Sequence, residues 1–433
     1  MLPLLAPILA QLVTLNVGDR TEARLVDQAG RRWEASTTPG VELAVRYRRS
    51  DSSISYVPSF TLTPLEHEPR EVLVFHQLNL STSYRFKLTT LNLNSNLGFG
   101  QINYLAAALR AQPDLPNGAP DTPAEQPAPD GADPGATPQP VLPDPTTGLD
   151  PQNPNVDPNG GPAQQAQIGI VNRTVRQLTW TTTLSATSNL SKEVSLNVYS
   201  TYSEQRGLDK ISRATYPKQR GIAVGATVSH LFQLYKRDAF TSSLSVQQIW
   251  SFNGSNVAAL VAREDWTHVL TPHASSNLGA GLSITRFSQP DGTIGFSIFP
   301  TLLSGLGYQA KVAHGLLNMS VGAYAQPVLD PLRATVDPRV GVGSAIGWTR
   351  ERFSTSLSGD AALSVADAQN DAAAIDTFNA SYIAAYNVVD RLIFDVGARG
   401  TALSFRDTAA IPPSWAIFAG VSFGHAFLLS GRH

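Results

Sequence analysis

Long stretches in which apolar and polar residues alternate restrict the fold of this 433-residue chain more than any other feature. In KEVSLNVYSTY, Val194, Leu196 and Val198 fall on one face, whereas Ser195 and Asn197 fall on the other. A period of two residues predicts β-strands with one apolar face. The alternating runs extend over about 10 to 15 residues, whereas strands of globular proteins average about five or six. Strands that cross a membrane need about 9 to 11 residues, so the pattern favours a membrane-spanning all-β protein.

Composition excludes several other classes of protein. Only 15% of the residues are charged, whereas soluble proteins carry about 25%. The 34 acidic and 32 basic side chains nearly balance, which argues against a nucleic-acid-binding protein. The absence of cysteine excludes disulfides, thiolate metal sites and a lipid-modified N-terminal cysteine. A soluble all-β protein remains an alternative, because soluble sandwiches also alternate.

Eighteen segments have strand character, so we expect a single transmembrane antiparallel up-and-down β-barrel of about 18 strands, within about 16 to 20. Bacterial outer-membrane barrels have an even number of strands, which leaves both termini in the periplasm. The predicted strands cover 41–48, 53–63, 70–78, 80–93, 97–109, 170–186, 191–202, 219–232, 238–251, 256–270, 274–286, 293–312, 315–326, 338–349, 352–365, 373–387, 391–404 and 414–427.

A Pro-rich insert separates the fifth predicted strand from the sixth. Residues 111–167 contain 15 of the 30 prolines and eight acidic residues, with no Lys, Arg or aromatic residue. Such a segment cannot bury enough apolar surface to offset the entropy of ordering it, so we expect a disordered outer loop. It is either a solvated spacer or an acidic surface element that meets a partner or shields a pore mouth.

The remaining boundaries follow from these assignments. Residues 1–10 resemble a secretory signal segment with cleavage after Ala10, although no Lys or Arg precedes the apolar part. We expect a periplasmic segment over 11–40, a barrel over 41–427 and a short tail over 428–433. Counting from a periplasmic C-terminus, the periplasmic connections are short and most outer ones are longer, as is usual for such barrels.

The end of the chain resembles that of bacterial outer-membrane β-barrels of the porin type. In the run SWAIFAGVSFGHAF, an apolar face is formed by Trp415, Ile417, Val421 and Phe423, which resembles the signal that the barrel-assembly machinery reads. Leu428 to His433 follow this run, whereas the usual pattern ends on an aromatic residue. The resemblance implies an outer-membrane location and contact with outer-membrane lipid.

A second resemblance rests on the eighteen strands, the VGDRTEAR segment near the N-terminus and the lack of a lipobox. This layout is similar to that of the barrel proteins of polysaccharide-export complexes. It implies passage of an exported polysaccharide, with periplasmic polysaccharide-export proteins as partners.

Aromatic residues concentrate near the ends of the predicted strands, as the interfacial girdles of a membrane barrel require. The candidates are Trp180, Tyr202, Trp250, Trp266, Tyr308, Trp348 and Trp415. Ordinary core packing of these residues is the alternative.

Charged residues on the polar strand faces are candidates for the wall of a water-filled lumen. They are Glu42, Arg46, Arg48, Arg85, Lys87, Arg263, Asp265, Lys311, Asp395 and Arg399. Basic side chains predominate, so an open lumen would favour anions or acidic polymers. Alternatively, these residues form ion pairs that hold the wall rigid.

The motifs of enzymes, metal sites and cofactor sites are missing. His230, His268 and His425 lie in apolar stretches without a nucleophile motif, and the sequence has no H-E-x-x-H, calcium-loop, dinucleotide or phosphate-loop pattern. We therefore expect neither catalysis nor a cofactor nor a metal. An outer-membrane channel that lets solutes or an exported polysaccharide cross through a polar lumen is the favoured function. A plugged structural or binding barrel that displays its loops is the alternative, and an outer-membrane hydrolase is the least favoured.

Overall fold

The computed structural model is a closed antiparallel β-barrel. It describes residues 12–27, 31–63, 71–103, 174–215, 218–235, 237–252, 254–330, 335–365, 375–389, 391–405 and 413–430. Among these residues, no helix is long and apolar enough to cross a membrane.

Nineteen strands and one short helix make up the described part of the chain. They are β1 (Leu12–Asp27), β2 (Arg31–Thr37), β3 (Gly40–Tyr47), β4 (Ser50–Thr63), β5 (Glu71–Arg85), β6 (Thr89–Asn103), β7 (Thr174–Asn189), β8 (Val194–Gly207), α1 (Lys210–Thr215), β9 (Gln219–Tyr235), β10 (Asp238–Ser251), β11 (Asn256–Thr271), β12 (Ala274–Ser288), β13 (Ile294–Val312), β14 (Gly315–Asp330), β15 (Thr335–Arg350), β16 (Phe353–Ser364), β17 (Ile375–Val389), β18 (Leu392–Phe405) and β19 (Ser414–Ser430). Each strand pairs with its neighbours in sequence, except that β2 and β3 do not pair with each other, and β1 pairs with β19 to close the barrel.

Strands β2 and β3 together fill a single position in the wall. Both pair with β1, and the register continues from Thr21 opposite Thr37 to Gly18 opposite Gly40. The interruption falls at Thr38 and Pro39, where proline has no N–H to donate. The barrel therefore has 18 strand positions, which confirms the predicted fold class and the even count.

The predicted count is correct although two strand assignments before the insert are wrong. Residues 12–27 form β1, so the wall includes most of the segment expected to be periplasmic. The prediction divides residues 70–109 into three strands, whereas the structure has β5 and β6 there. The two errors cancel. The predicted tail also begins too early, because β19 continues to Ser430. The signal segment and the Pro-rich insert lie outside the described residues.

The connections between strands differ in length at the two ends of the barrel. One end, the short-turn rim, has the connections 48–49, 86–88, 190–193, 236–237, 272–273, 313–314, 351–352 and 390–391. The other end, the long-loop rim, has the connections 28–30, 64–70, 104–173, 208–218, 252–255, 289–293, 331–334, 365–374 and 406–413. The described beginning of β1 and the end of β19 lie at the short-turn rim.

Two-residue turns close several hairpins at the short-turn rim. Ala313 and His314, between β13 and β14, have φ angles of 50° and 62°. Two successive residues with positive φ are characteristic of the type I′ turn, whose twist matches that of paired strands. These tight turns fix the register of the hairpins and hence the face on which each side chain lies.

The two faces of the wall differ in polarity. On the outer face, large apolar side chains such as Leu184, Val246 and Ile298 are exposed, and they recur at every second position of their strands. The alternate positions point into the barrel and carry mostly Ser, Thr, Asn, Gln, Gly and charged residues. An apolar exterior around a polar interior is the arrangement that a lipid bilayer requires of a barrel.

The barrel lumen as the candidate functional site

Eight of the ten predicted lumen residues lie on inward-facing strand positions. They are Glu42, Arg46, Arg85, Arg263, Asp265, Lys311, Asp395 and Arg399, each of which alternates with an outward apolar residue. The other two, Arg48 and Lys87, lie in turns at the short-turn rim and not on strands. Their predicted strand assignment is wrong because the tight turns follow the alternating pattern without a break.

Charged inward residues concentrate on one side of the barrel, which we call the charged arc. It comprises Asp395 and Arg399 on β18, Arg20, Glu22 and Arg24 on β1, Glu34 on β2, Glu42 and Arg46 on β3, Asp51 on β4 and Arg85 on β5. This set has five acidic and five basic side chains. The charged arc is therefore electrically balanced.

Ion pairs link the strands of the charged arc. Arg24 Nε donates to Glu34 Oε2 at 2.6 Å, and the side chain of Glu34 is fully buried. Arg20 donates to Asp395 Oδ2 at 2.8 Å. Near the short-turn rim, Asp51 pairs with Arg46 at 3.2 Å and with Arg85 at 3.4 Å. A buried carboxylate such as that of Glu34 is tolerated only with such a partner.

The pair between Arg20 and Asp395 crosses an intervening strand. Arg20 is on β1 and Asp395 is on β18, with β19 between them. On β19, Gly420 is the residue opposite Asp395, and a Cβ at Gly420 would lie 2.8 Å from Asp395 Oδ1. The missing side chain of Gly420 leaves room for this pair. It connects the first strand of the barrel to the last two.

The side of the barrel formed by β6 to β10, which we call the neutral arc, has a different inner face. All described inward positions of these five strands are uncharged, and the charged residues of these strands point outward. Most inward residues carry a hydroxyl or an amide side chain. Asn92, Asn94 and Asn96 form a row along β6.

Hydroxyls and amides of the neutral arc and its flank are linked across neighbouring strands. Ser81 Oγ, on the adjoining β5, donates to Asn94 Oδ1 at 2.8 Å. The hydroxyls of Thr183 and Thr201 are 3.0 Å apart. These links leave further donor and acceptor capacity directed into the lumen, because an amide or a hydroxyl makes more than one hydrogen bond.

An apolar cluster narrows the lumen at the long-loop rim. Its members are Ala223, Ile249, Val257, Phe287 and Val336, all of them buried. The first four lie on inward positions of β9 to β12, within a few residues of the long-loop rim. Val336 belongs to β15, which contacts β11 and β12 although neither is its neighbour in the sheet. The start of β15 therefore leans across the mouth of the barrel.

Rings that face inward lie against glycines of the next strand. A Cβ at Gly225 would meet the ring of Tyr199, and one at Gly341 would meet the ring of Tyr324. Each ring thus lies along the wall in space that a neighbouring side chain would occupy. Because each ring covers a glycine, it lies flat against the wall and extends less far into the lumen.

All seven predicted girdle residues lie on outward strand positions. Trp180, Tyr202, Trp250 and Trp415 are in the half nearer the long-loop rim. Trp266, Tyr308 and Trp348 are in the half nearer the short-turn rim. The residues of the predicted assembly signal, including Ile417, Val421 and Phe423, also lie on the outward face, on β19.

The histidines considered for catalysis also lie on the outward face. His268 Nδ1 is 2.7 Å from Asp238 Oδ1, which also accepts a hydrogen bond from Trp266 Nε1 at 3.0 Å. This group lies near the short-turn rim and is directed away from the lumen. His425 packs edge-on against Phe427 at 4.1 Å. Within the described ranges, no three His, Asp or Glu side chains are grouped closely enough to hold a metal ion.

The sequence pattern misses four charged residues of the lumen, of which Arg24 and Glu34 are buried. Arg20, Glu22, Arg24 and Glu34 lie in the segment that the sequence predicts to be periplasmic. The alternation that marks a strand is nevertheless present in LNVGDRTEARLVD, in which Leu15, Val17, Ala23 and Leu25 alternate with polar residues. Asp19 and Thr21 interrupt the apolar face of this run and hide the alternation.

A model of the EpsX exopolysaccharide export family matches residues 136–429. The chain belongs to this family. None of the curated proteins matches it.

A solved structure shows the same fold. The FrpB iron transporter from Neisseria meningitidis (F3-3 variant) is similar, with a TM-score of 0.51 and 11% sequence identity over 96% of this chain and 68% of that chain. OpdK from Pseudomonas aeruginosa, solved with vanillate, has a TM-score of 0.46 and 9% identity over 96% of this chain and 99% of that chain.

The EpsX-family chain is thus an outer-membrane barrel for transport. Both resemblances drawn from the sequence, to outer-membrane barrels and to the barrels of polysaccharide export, are confirmed.

Proposed function

We propose that this EpsX-family barrel conducts an exported polysaccharide across the outer membrane, and that the polymer passes along the neutral arc. The observation that carries the proposal is the uncharged inner face of β6 to β10, where amides and hydroxyls are grouped. A sugar polymer presents hydroxyls that donate and accept hydrogen bonds, and such a face can exchange those bonds one after another. Movement is favoured when each site binds weakly and many sites are available.

The charged arc has a separate role in this proposal. Its acidic and basic residues are equal in number, and several are paired at 2.6 to 3.4 Å. Paired charges contribute little net field to the lumen, so they give no strong preference for anions. We propose that these pairs hold the junction of β18, β19 and β1 closed.

The orientation of the barrel is part of the proposal. We assign the short-turn rim and both termini to the periplasm, because short periplasmic turns and long outer loops are the rule for outer-membrane barrels. The long-loop rim, including the Pro-rich insert, then faces outward. In this orientation the cluster around Ile249 and Val336 lies at the outer mouth, where it would restrict leakage when no polymer is present.

The periplasmic partners would meet the barrel at the short-turn rim. We propose that these are proteins of a polysaccharide-export complex, and that the barrel-assembly machinery inserts the chain through its last strand. The seven outward aromatic residues would anchor the barrel at the two surfaces of the membrane.

Deletion of the gene in the source bacterium tests the function. We expect surface polysaccharide to be lost while polymer synthesis continues, and the wild-type gene to restore export. A barrel with Asn94→Leu and Thr183→Leu should reach the outer membrane but export much less, because two inward polar groups of the neutral arc are replaced. A matched control, Leu184→Ile on the outer face, should export normally.

The plugged structural barrel, which is the alternative function, predicts another result. The narrowed mouth is the observation that favours it. If the variant with Asn94→Leu and Thr183→Leu exports as well as the wild type, the polymer does not use the neutral arc and the proposal fails.

A further inference from the structure

Basic residues concentrate at one point of the long-loop rim. We call this group the basic rim patch. It comprises Arg176 on β7, Arg206 on β8, Lys210 and Arg213 on α1, Lys218 just before β9 and Arg220 on β9. On their strands, the three arginines share the outward face with exposed residues such as Leu184, Val198 and Val224.

The two carboxylates within the patch are already engaged. Glu204 accepts hydrogen bonds from Tyr202 Oη at 2.7 Å and from Arg220 Nε at 3.1 Å, and Arg206 Nε lies 3.6 Å from it. Asp209 accepts the backbone N–H of Ser212 at 2.7 Å. The patch therefore has six basic side chains and two acidic ones, a surplus of four positive charges.

Three of the basic side chains line one concavity. It is formed by Arg206, Gly207, Leu208, Arg213 and Lys218. Among the residues that the structure describes, no carboxylate lies within salt-bridge distance of Arg213 or Lys218. Both side chains are exposed, so they are available to an anion from outside.

The position of the patch relative to the apolar belt limits what this anion can be. The rings of Trp180 and Tyr202 meet at 5.1 Å on the outward face, and Trp180 is the residue opposite Glu204. Aromatic residues of this kind mark the boundary between hydrocarbon and headgroups. Arg220 lies level with this boundary, because it is opposite Glu204, whereas Arg176 and Arg206 lie on its loop side, at the depth of the lipid headgroups.

From this geometry we infer that the basic rim patch binds the phosphate groups of an anionic lipid in the leaflet at the long-loop rim. Arginine presents donors in a planar fork that fits phosphate oxygens, and lysine adds a point charge. In the orientation proposed above, this leaflet is the outer one, so the ligand is a phosphorylated glycolipid. The three arginines on β7, β8 and β9 point away from the lumen, so this binding does not depend on what passes through the barrel.

Lipid binding by the refolded barrel tests this inference. The protein is held in an uncharged detergent, and bound lipid is counted by native mass spectrometry as lipid A with two phosphates is added. The same lipid without phosphates and inorganic phosphate are the comparison ligands. The test variant combines Arg206→Gln, Arg213→Gln and Lys218→Gln. The control variant combines Lys87→Gln, Lys192→Gln and Arg391→Gln, which removes the same charge from exposed turns of the short-turn rim.

We expect the wild type and the control variant to bind the phosphorylated lipid about 10- to 100-fold more tightly than the dephosphorylated lipid, and the test variant to lose this preference. Added salt should weaken the binding, because the charges are exposed. Equal binding of both lipids would overturn the inference, as would wild-type binding by the test variant or a matching loss in the control variant.

Two further outcomes are decisive. Inorganic phosphate that displaces the lipid at equal concentration would overturn the inference, because the site would then bind a free anion and not a headgroup.

Folding is checked by the shift in electrophoretic mobility on heating. If the test variant does not fold, Lys218→Gln alone replaces it, with an expected loss of about fivefold, and full binding by that variant would contradict the inference.

Discussion

The charged arc and the neutral arc have the same backbone geometry, but their inner faces are stabilised in different ways. In the charged arc, a few strong contacts join strands that are distant in sequence, such as Arg20 and Asp395. In the neutral arc, many weak contacts join neighbours, such as Thr183 and Thr201. The strong contacts lie beside the junction of β1 and β19, where the two ends of the chain must meet. The weak contacts lie where the wall consists of consecutive hairpins.

This difference agrees with the cost of closing the barrel. Consecutive strands meet through short turns, whereas β1 and β19 can pair only after the whole chain is arranged, which costs more entropy. Strong ion pairs at that junction offset part of this cost. The neutral arc needs no such pairs, so its inner face is free to present hydroxyls and amides to a passing polymer.

The largest expected effect comes from removing one partner of a buried pair in the charged arc. Arg24→Ala removes the guanidinium that pairs at 2.6 Å with the fully buried carboxylate of Glu34, so we expect a loss of about 3 to 5 kcal/mol in the free energy of unfolding. Thr183→Ala in the neutral arc should cost only about 1 kcal/mol. Urea unfolding in detergent measures both. Equal losses would mean that the two arcs do not differ in this way.

A second change tests the pair that crosses β19. Gly420→Val introduces a side chain whose Cβ would lie 2.8 Å from Asp395 Oδ1, so the contact with Arg20 should weaken, with a loss of about 2 kcal/mol. Gly424→Val is the matched control on the same inward face, because nothing lies within 4 Å of a Cβ there. The same unfolding measurement applies. A control that is as unstable as Gly420→Val would point to strand propensity and not to the pair.

Ion selectivity distinguishes the arcs in another way. Thr183→Glu adds an unpaired negative charge to the neutral arc, and we expect the preference for cations to rise by about twofold. Arg85→Glu should have a smaller effect, because Arg85 is exposed at the short-turn rim and solvent screens it. Lys87→Glu, in a turn, should change least. Reversal potentials in a salt gradient measure all three, and the opposite order would contradict this assignment of the lumen wall.

The smallest expected effect concerns two facing prolines at the edge of the charged arc. The N–H of Thr38 donates to the carbonyl oxygen of Arg20 on β1. Successive N–H groups of a strand point to opposite sides, so an N–H at position 39 would point to β4, but Pro39 has none. The continuous register puts it opposite Pro58. Both hydrogen bonds of this pair are therefore missing.

Restoring one of these bonds should stabilise the wall slightly. Pro58→Val supplies an N–H, and we expect a gain of about 0.5 to 1 kcal/mol together with slower amide exchange in β3 and β4. Ile54→Val, on the same outward face of β4, is the control for a side-chain change that leaves the backbone N–H in place. No gain in Pro58→Val over this control would show that the missing bonds are replaced by other contacts.

The architecture can be predicted from the sequence because alternation, strand length and turn length are local properties. The neutral arc follows this rule, since the outward positions of β6 to β10 are mostly apolar and mark these segments as strands. In the charged arc, by contrast, some outward positions are polar. On β1, Asp19 and Thr21 occupy outward positions, where Thr37 Oγ1 donates to Asp19 at 2.8 Å. An outward pair of this kind interrupts the apolar face, and no single-strand pattern reveals its partner.

Side-chain pairing between distant strands also cannot be predicted from the sequence pattern. The pattern of β18 identifies Asp395 and Arg399 as inward residues, but Arg20, the partner of Asp395, is 375 positions away. Such a contact depends on the closure and register of the whole barrel. The apolar mouth cluster is similar, because Val336 meets Ile249 only when β15 leans across the lumen.

Interaction of a sugar oligomer with the lumen tests the central proposal most directly. Single-channel current through the refolded barrel is recorded while a neutral oligosaccharide, or an acidic one of equal length, is added on the short-turn side. We predict that the neutral oligomer interrupts the current, and that the variant with Asn94→Leu and Thr183→Leu shortens these interruptions about tenfold, whereas Arg85→Gln leaves them unchanged. Interruptions that depend on Arg85 and not on the neutral arc, or an open channel that neither oligomer affects, would contradict the account.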